Sequence, residues 1–136
     1  MSNLEQTLSI IKPDAVERNL DSEIKKMFLD KDFKIIKEKK IQIEKSEAEK
    51  FYKVHQTKPF YNDLCAYLSS GPIVVMILQK ENAVLANREL MGATNPKDAL
   101  DGTIRKKYGI SIDKNSVHGS DSLENAKIEI DFFFND

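Results

Sequence analysis

The chain has 136 residues, 40% hydrophobic and 32% charged, the composition of an ordinary soluble globular protein. Lys plus Arg number 21 against 22 Asp plus Glu, and the resulting net charge of −1 excludes bulk attraction to nucleic acid or anionic membrane. Any recognition of phosphate must therefore come from basic groups placed locally. Met1-Ser2-Asn3-Leu4-Glu5-Gln6 has neither a basic nor an apolar leader region, so no secretory signal is expected. The longest apolar run, residues 73–78, is too short to span a bilayer. Cys65 is the only cysteine, which excludes an internal disulfide and predicts a reducing, cytoplasmic setting with Cys65 as plain packing.

No repeat, low-complexity tract or linker divides the chain, so residues 1–136 are expected to form one domain. Residues 7–11 predict a short strand ended by Pro13, and residues 22–29 a helix in which Ile24, Met27 and Phe28 share an apolar face. Residues 33–43 predict a strand; Ile41-Gln42-Ile43 alternates, while Ile35-Ile36 breaks the pattern. Ser46 and Glu49 have the spacing of a capping box for a helix to about residue 54, and residues 62–68 fit another short helix. Gly71-Pro72 punctuates the chain before a buried strand at 73–78. Asn82 is expected to cap a helix reaching Met91, with Gly92 as its stop. Asp121 and Glu124 suggest a second capping box, opening a last helix to about Phe134. This order argues for a sheet covered by helices. The stretch 93–120 is long for a connection, which points to function or to short elements of its own.

The residues that can carry chemistry are few. No G-x-x-x-x-G-K-[ST] loop and no G-x-G-x-x-G fingerprint is present, and the five glycines do not cluster. Only three of the 21 basic residues are arginine, Arg18, Arg88 and Arg105; a guanidinium offers a rigid fork of donors suited to phosphate oxygens. The plainer reading of Arg88 and Arg105 is two solvated surface side chains. Histidine occurs only at His55 and His118. A neutral imidazole is a competent nucleophile toward phosphorus, although a loop histidine such as His118 can equally be structural. Glu129 falls at the edge of an apolar stripe of Leu123, Ala126, Ile130, Phe133 and Phe134, where its carboxylate could orient a nearby imidazole or simply face water. Lys12 closes the first strand and could reach into a cleft. Phe60, in Pro59-Phe60-Tyr61, could offer a stacking face for a nucleobase or be a half-buried helix-start residue. No His, Cys or carboxylate cluster has metal-ligand spacing.

Taken in order, these residues lie in stretches that resemble the nucleoside diphosphate kinase family over essentially the whole chain. They are Thr7-Leu8-Ser9-Ile10-Ile11-Lys12-Pro13-Asp14-Ala15-Val16, Lys58-Pro59-Phe60-Tyr61 and Ser69-Ser70-Gly71-Pro72. Arg88-Glu89-Leu90-Met91-Gly92-Ala93-Thr94-Asn95-Pro96, Gly102-Thr103-Ile104-Arg105 and the most specific, Asn115-Ser116-Val117-His118-Gly119-Ser120-Asp121-Ser122, complete the set. The resemblance, closest to bacterial members, implies an α+β, ferredoxin-like βαββαβ core with a four-stranded antiparallel sheet and a long loop near 93–113. It also implies ping-pong transfer of a terminal phosphate among nucleoside di- and triphosphates such as ATP, GDP and dTDP, with Mg2+ carried on the nucleotide. By the same resemblance His118 is the phosphorylated nucleophile, Glu129 its orienting partner, and Ser120 a support for both, with Tyr52 beside the histidine. Lys12 and Asn115 would meet sugar hydroxyls and phosphates, and Arg88, Thr94 and Arg105 the phosphates, with His55 close by. Phe60 would stack on the base, opposite Ile112 and near Leu64.

Departures from the family pattern are Asn19 and Ser22 in the first turn, Leu100-Asp101 where a proline usually stiffens the loop, Lys106-Lys107, and Lys114. A homo-oligomer is implied, and the missing proline together with the chain's end soon after Phe134 predicts weaker assembly than in longer relatives. Two other readings compete. One is a non-catalytic nucleotide-binding module of the same fold; the other is a nucleic-acid-binding sheet, which would want a basic face and paired aromatics on adjacent strands.

Overall fold

The computed structural model describes residues 4–53, 56–111 and 114–134. Four strands form one sheet: β1 (Leu4–Ile11), β2 (Lys34–Ile41), β3 (Ile73–Glu81) and β4 (Val117–Gly119), in the order β2-β3-β1-β4. All neighbouring pairs are antiparallel. The helices are α1 (Pro13–Glu17), α2 (Asp21–Asp30), α3 (Lys45–Phe51), α4 (Tyr61–Leu68), α5 (Ala83–Met91), α6 (Ile104–Tyr108) and α7 (Leu123–Phe134). This is the α+β, ferredoxin-like βαββαβ arrangement, with additional helices.

Strand β3 shows why the sheet has two cores. Its side chains alternate, so Val74, Met76 and Leu78 enter one apolar cluster while Ile73 and Val75 enter another. The first cluster is closed by Ile24 and Phe28 of α2 and by Leu90 and Met91 of α5; the second by Ala48 of α3, Leu68 of α4 and Phe133 of α7. Burial on both faces accounts for the continuous apolar run in β3. Cys65 is buried in the second cluster, as expected of a packing residue. The Ile35-Ile36 irregularity is a β-bulge: Ile35 pairs with Leu78 and Lys37 with Ile77, so Ile36 is skipped and lies exposed.

Several boundaries differ from the sequence expectation. Pro13 ends β1 but also opens α1, a short helix the pattern did not suggest, because its fixed φ suits a first helical turn. The capping box of α3 is Glu44 with Glu47, not Ser46 with Glu49. The Glu44 N–H donates to Glu47 Oε1 at 3.3 Å, which puts Ser46 inside the first turn. The helix ends at Phe51 rather than near residue 54. Helix α7 is capped by Ser122, whose Oγ accepts the Asn125 N–H at 3.1 Å; Asp121 instead accepts from the Asn125 side chain. Leu123, placed in the buried stripe, is exposed. The long stretch holds a 3-10 turn (Pro96–Asp98), α6 and β4.

Candidate active site

Strand β4 is three residues long and takes its position from β1, pairing Ile10 with His118 and Ile11 with Val117. Alternation sends Val117 into the core under α5, where Gly119 also packs so closely that a Cβ would meet Asn87 Nδ2 at 2.3 Å. His118 therefore faces the opposite side, toward α3 and α7. There its ring stands edge-to-face with Phe51, centroids 5.3 Å apart, and with Tyr52 at 6.5 Å.

His118 Nε2 lies 3.0 Å from Glu129 Oε1, and Ser120 Oγ donates to the same oxygen at 2.9 Å. A carboxylate oxygen only accepts, so the Nε2–H tautomer is favoured and the lone pair is left on Nδ1. Ser120 is itself buried, with its backbone N–H on the Leu8 carbonyl at 3.2 Å and its Oγ accepting the Leu8 N–H at 3.4 Å. Glu129 is half-buried, at the edge of the apolar face of α7 where the sequence put it. Burial pushes the Tyr52 hydroxyl well above its ordinary range, with smaller contributions from Cys65 and Glu129, so Tyr52 stays neutral beside the imidazole.

A second group surrounds Lys12. Its Nζ donates to Asn115 Oδ1 at 2.9 Å, and Asn115 Nδ2 donates to the Thr94 carbonyl at 3.1 Å. Lys12 and Asn115 are buried, whereas the Thr94 side is exposed. Arg105 is not a surface arginine. It is buried, donating from Nη1 to the Gly92 carbonyl at 3.0 Å and from Nη2 to the Val117 carbonyl at 2.9 Å. Burial, then the charge of Arg88, pushes its pKa down to about 10, which leaves it cationic at neutral pH. Arg88 is exposed on α5, and with Thr94 and Arg105 it lines a groove of about 480 Å³. His118 does not line this groove. Phe60 is the N-cap residue of α4 and is 44% exposed; Leu64, one turn on, is half-buried against the Tyr52 cluster. His55 and Ile112 lie outside the described residues.

The loop into β4 carries features that sequence reading did not single out. Ser116 has φ 75, and the Val117 N–H donates to the Asn115 carbonyl at 2.9 Å, a γ-turn at a non-glycine residue. Such a conformation costs on the order of 1–3 kcal/mol and persists only where its surroundings hold it. No residue type in Asn-Ser-Val-His signals a positive φ at the serine. Phe51, the ring against His118, was equally hidden, since an aromatic beside Tyr52 reads as ordinary core.

Residues 5–136 match the family model described as nucleoside diphosphate kinase. A nucleoside diphosphate kinase of Nitratiruptor sp. is 58% identical over 131 residues, 96% of each chain. That of Campylobacter lari is 57% identical over 131 residues, again 96% of each. Among solved structures, the Aquifex aeolicus nucleoside diphosphate kinase superposes with a TM-score of 0.95 at 37% identity, covering 96% of this chain and 95% of its own. The Encephalitozoon cuniculi nucleoside diphosphate kinase does so with a TM-score of 0.93 at 37% identity, covering 97% and 90%. A full-length match to the family model and identities of 57–58% over 96% of the chain, on this fold, lead to one conclusion: the chain belongs to the nucleoside diphosphate kinase family.

Proposed function

We propose that this chain, as one domain, passes the terminal phosphate of a nucleoside triphosphate to a nucleoside diphosphate, with Nδ1 of His118 as the carrier. The observation that supports this assignment is the contact of His118 Nε2 with Glu129, which directs the lone pair to Nδ1. In the first half-reaction the Nδ1 lone pair attacks the γ-phosphorus. The bond from that phosphorus to the β–γ bridging oxygen breaks, and the nucleoside diphosphate leaves with the electron pair. A second diphosphate's terminal oxygen then attacks the phosphohistidine and returns the electron pair to Nδ1. Lys12, Asn115, Arg88, Thr94 and Arg105 are the groups for sugar hydroxyls and phosphates, chiefly supplying position and charge neutralisation. Phe60 stacks on the base without reading hydrogen-bonding edges, which suits broad base specificity.

Among the described residues, no three His, Cys, Asp or Glu side chains group as metal ligands. The groove's cationic donors are Arg88 and Arg105, suited to phosphate oxygens, with Glu89 and Asp98 as its two carboxylates. Mg2+ fits this site as part of the nucleotide substrate, where it offsets phosphate charge. Homo-oligomerisation is supported by β2, a sheet edge carrying the exposed Ile36. No helix of the described residues is long and apolar enough to cross a membrane; a cytoplasmic location is part of the proposal.

The test is to mix the protein with γ-labelled ATP, quench, and look for label on the polypeptide. An acid-labile, base-stable label that moves to added GDP or dTDP and vanishes in His118→Ala is the expected result. In Phe60→Ala the label should still form and transfer, with nucleotide affinity weaker by about tenfold. Nucleotide binding without any label would instead favour a non-catalytic sensor built from the same pocket.

A further inference from the structure

Four polar side chains outside the nucleotide groups converge behind the γ-turn. Tyr67 of α4 accepts the Asp14 backbone N–H at 2.8 Å and donates its own hydroxyl hydrogen to Asp14 Oδ1. Asp14 Oδ2 accepts from Ser116 Oγ at 3.3 Å and pairs with Arg18 Nη2 at 3.3 Å. The Ser116 carbonyl in turn accepts the Lys12 N–H at 2.8 Å, and two residues later the chain reaches His118. Asp14 and Ser116 are buried, and Arg18 also donates to the Tyr108 carbonyl at 2.6 Å. Thus one carboxylate is tied to the start of α1, the strained turn and the far end of α4, the helix that Phe60 precedes.

We infer that Asp14 and Tyr67 are positioning residues for phosphoryl transfer, holding Ser116 in its left-handed conformation so that Lys12 and His118 keep a fixed mutual geometry. Neither touches the reacting atoms. The carboxylate supplies the acceptor that Ser116 Oγ needs, and Tyr67 limits the orientations open to that carboxylate. Burial, hydrogen bonding to Asp14 and the Asp14 charge all push the Tyr67 hydroxyl far above its ordinary range, so it remains a donor throughout the neutral range. A loosened turn would displace the nucleophile without removing any group that grips the nucleotide. Positioning errors of about 1 Å cost rate by factors up to about a hundred. Since the inference rests on His118 as the carrier, its test is separable from the test of that assignment.

The experiment measures the rate of His118 phosphorylation by ATP and by phosphoramidate, a donor with no nucleoside, in wild type, Tyr67→Phe and Asp14→Asn. Thermal melting and nucleotide titration of each protein accompany the rates. Tyr67→Phe is expected to slow phosphorylation by both donors by about tenfold, with nucleotide affinity within about twofold of wild type. Asp14→Asn, which keeps an acceptor of similar shape, is expected to give a similar or smaller loss, and decides the matter alone if Tyr67→Phe does not fold. Wild-type phosphorylation rates in folded variants, or a defect confined to nucleotide affinity, would overturn the inference. Absence of label on wild-type His118 would instead overturn the assignment beneath it.

Discussion

Glu129 Oε1 receives two donors, the His118 ring and the Ser120 hydroxyl, and the two contacts differ in what they control. The imidazole contact sets the tautomer, whereas Ser120 restrains the carboxylate. In Glu129→Gln the amide can present its NH2 group to Nε2, favouring a lone pair on the wrong nitrogen. That substitution is expected to lower kcat by about a hundredfold, and Ser120→Ala by about tenfold, both with little change in KM. Steady-state kinetics decides this; a KM effect that dominates in either variant would remove Glu129 or Ser120 from the orienting role. Arg105 illustrates a residue whose part is double. Its two contacts with the Gly92 and Val117 carbonyls tie the end of α5 to β4, so it holds the strand that carries His118 as well as adding positive charge to the groove.

At the level of elements, the two left-handed glycines bracketing the groove loop behave differently. Gly92 ends α5 at φ 87, and a Cβ there would meet Thr103 Oγ1 at 2.6 Å and Thr103 Cβ at 2.8 Å. Gly102 has φ 86, but nothing lies within 4 Å of an added Cβ. Gly92→Ala should therefore cost about 2–4 kcal/mol, from strain plus overlap, and Gly102→Ala only about 1–2 kcal/mol from strain. Equal losses in chemical denaturation would show that the Thr103 contact yields freely. Gly92 was legible as a helix stop because a glycine after an amphipathic run is a strong local signal. The long, periodic or continuous apolar segments, α2 and β3, were legible for the same reason. Strand β4 was not: three residues carry no periodicity, and its pairing with β1 joins positions more than a hundred apart in sequence. The caps of α3 and α7 slipped because several acidic and hydroxyl residues share the spacing, and only tertiary contacts choose among them. The roles proposed for His118, Glu129, Ser120, Lys12 and Arg105 came from their resemblance to a family; the γ-turn and the Asp14–Tyr67 contacts are backbone and long-range facts that no local pattern displays.

For the whole molecule, two tyrosines, Tyr52 buried and Tyr67 half-buried, predict an alkaline limit. Tyr52 and Tyr67 are both shifted upward, so the folded protein retains protons that the unfolded chain releases above about pH 10. A raised folded pKa contributes stability that is complete below the unfolded value and declines as pH climbs beyond it. Stability should thus be level in these groups through neutral pH and fall above about pH 10, with Tyr52 alone contributing a slope near 1.4 kcal/mol per pH unit. Urea denaturation at pH 9, 10 and 11 measures this, and Tyr52→Phe should flatten the fall. An unchanged slope in that variant would assign the alkaline loss elsewhere.

The dependence of β4 on β1 has an evolutionary consequence for chain length. Loss or gain of one residue inside Leu4–Ile11 turns the partner of His118 to the opposite face of the sheet, away from Glu129, while leaving composition almost untouched. The same event beside Asp101 and Gly102, both exposed, only slackens a loop. Insertions and deletions are therefore tolerated unevenly along this chain. The loop can drift in length, whereas the first strand is the ruler against which His118 is set.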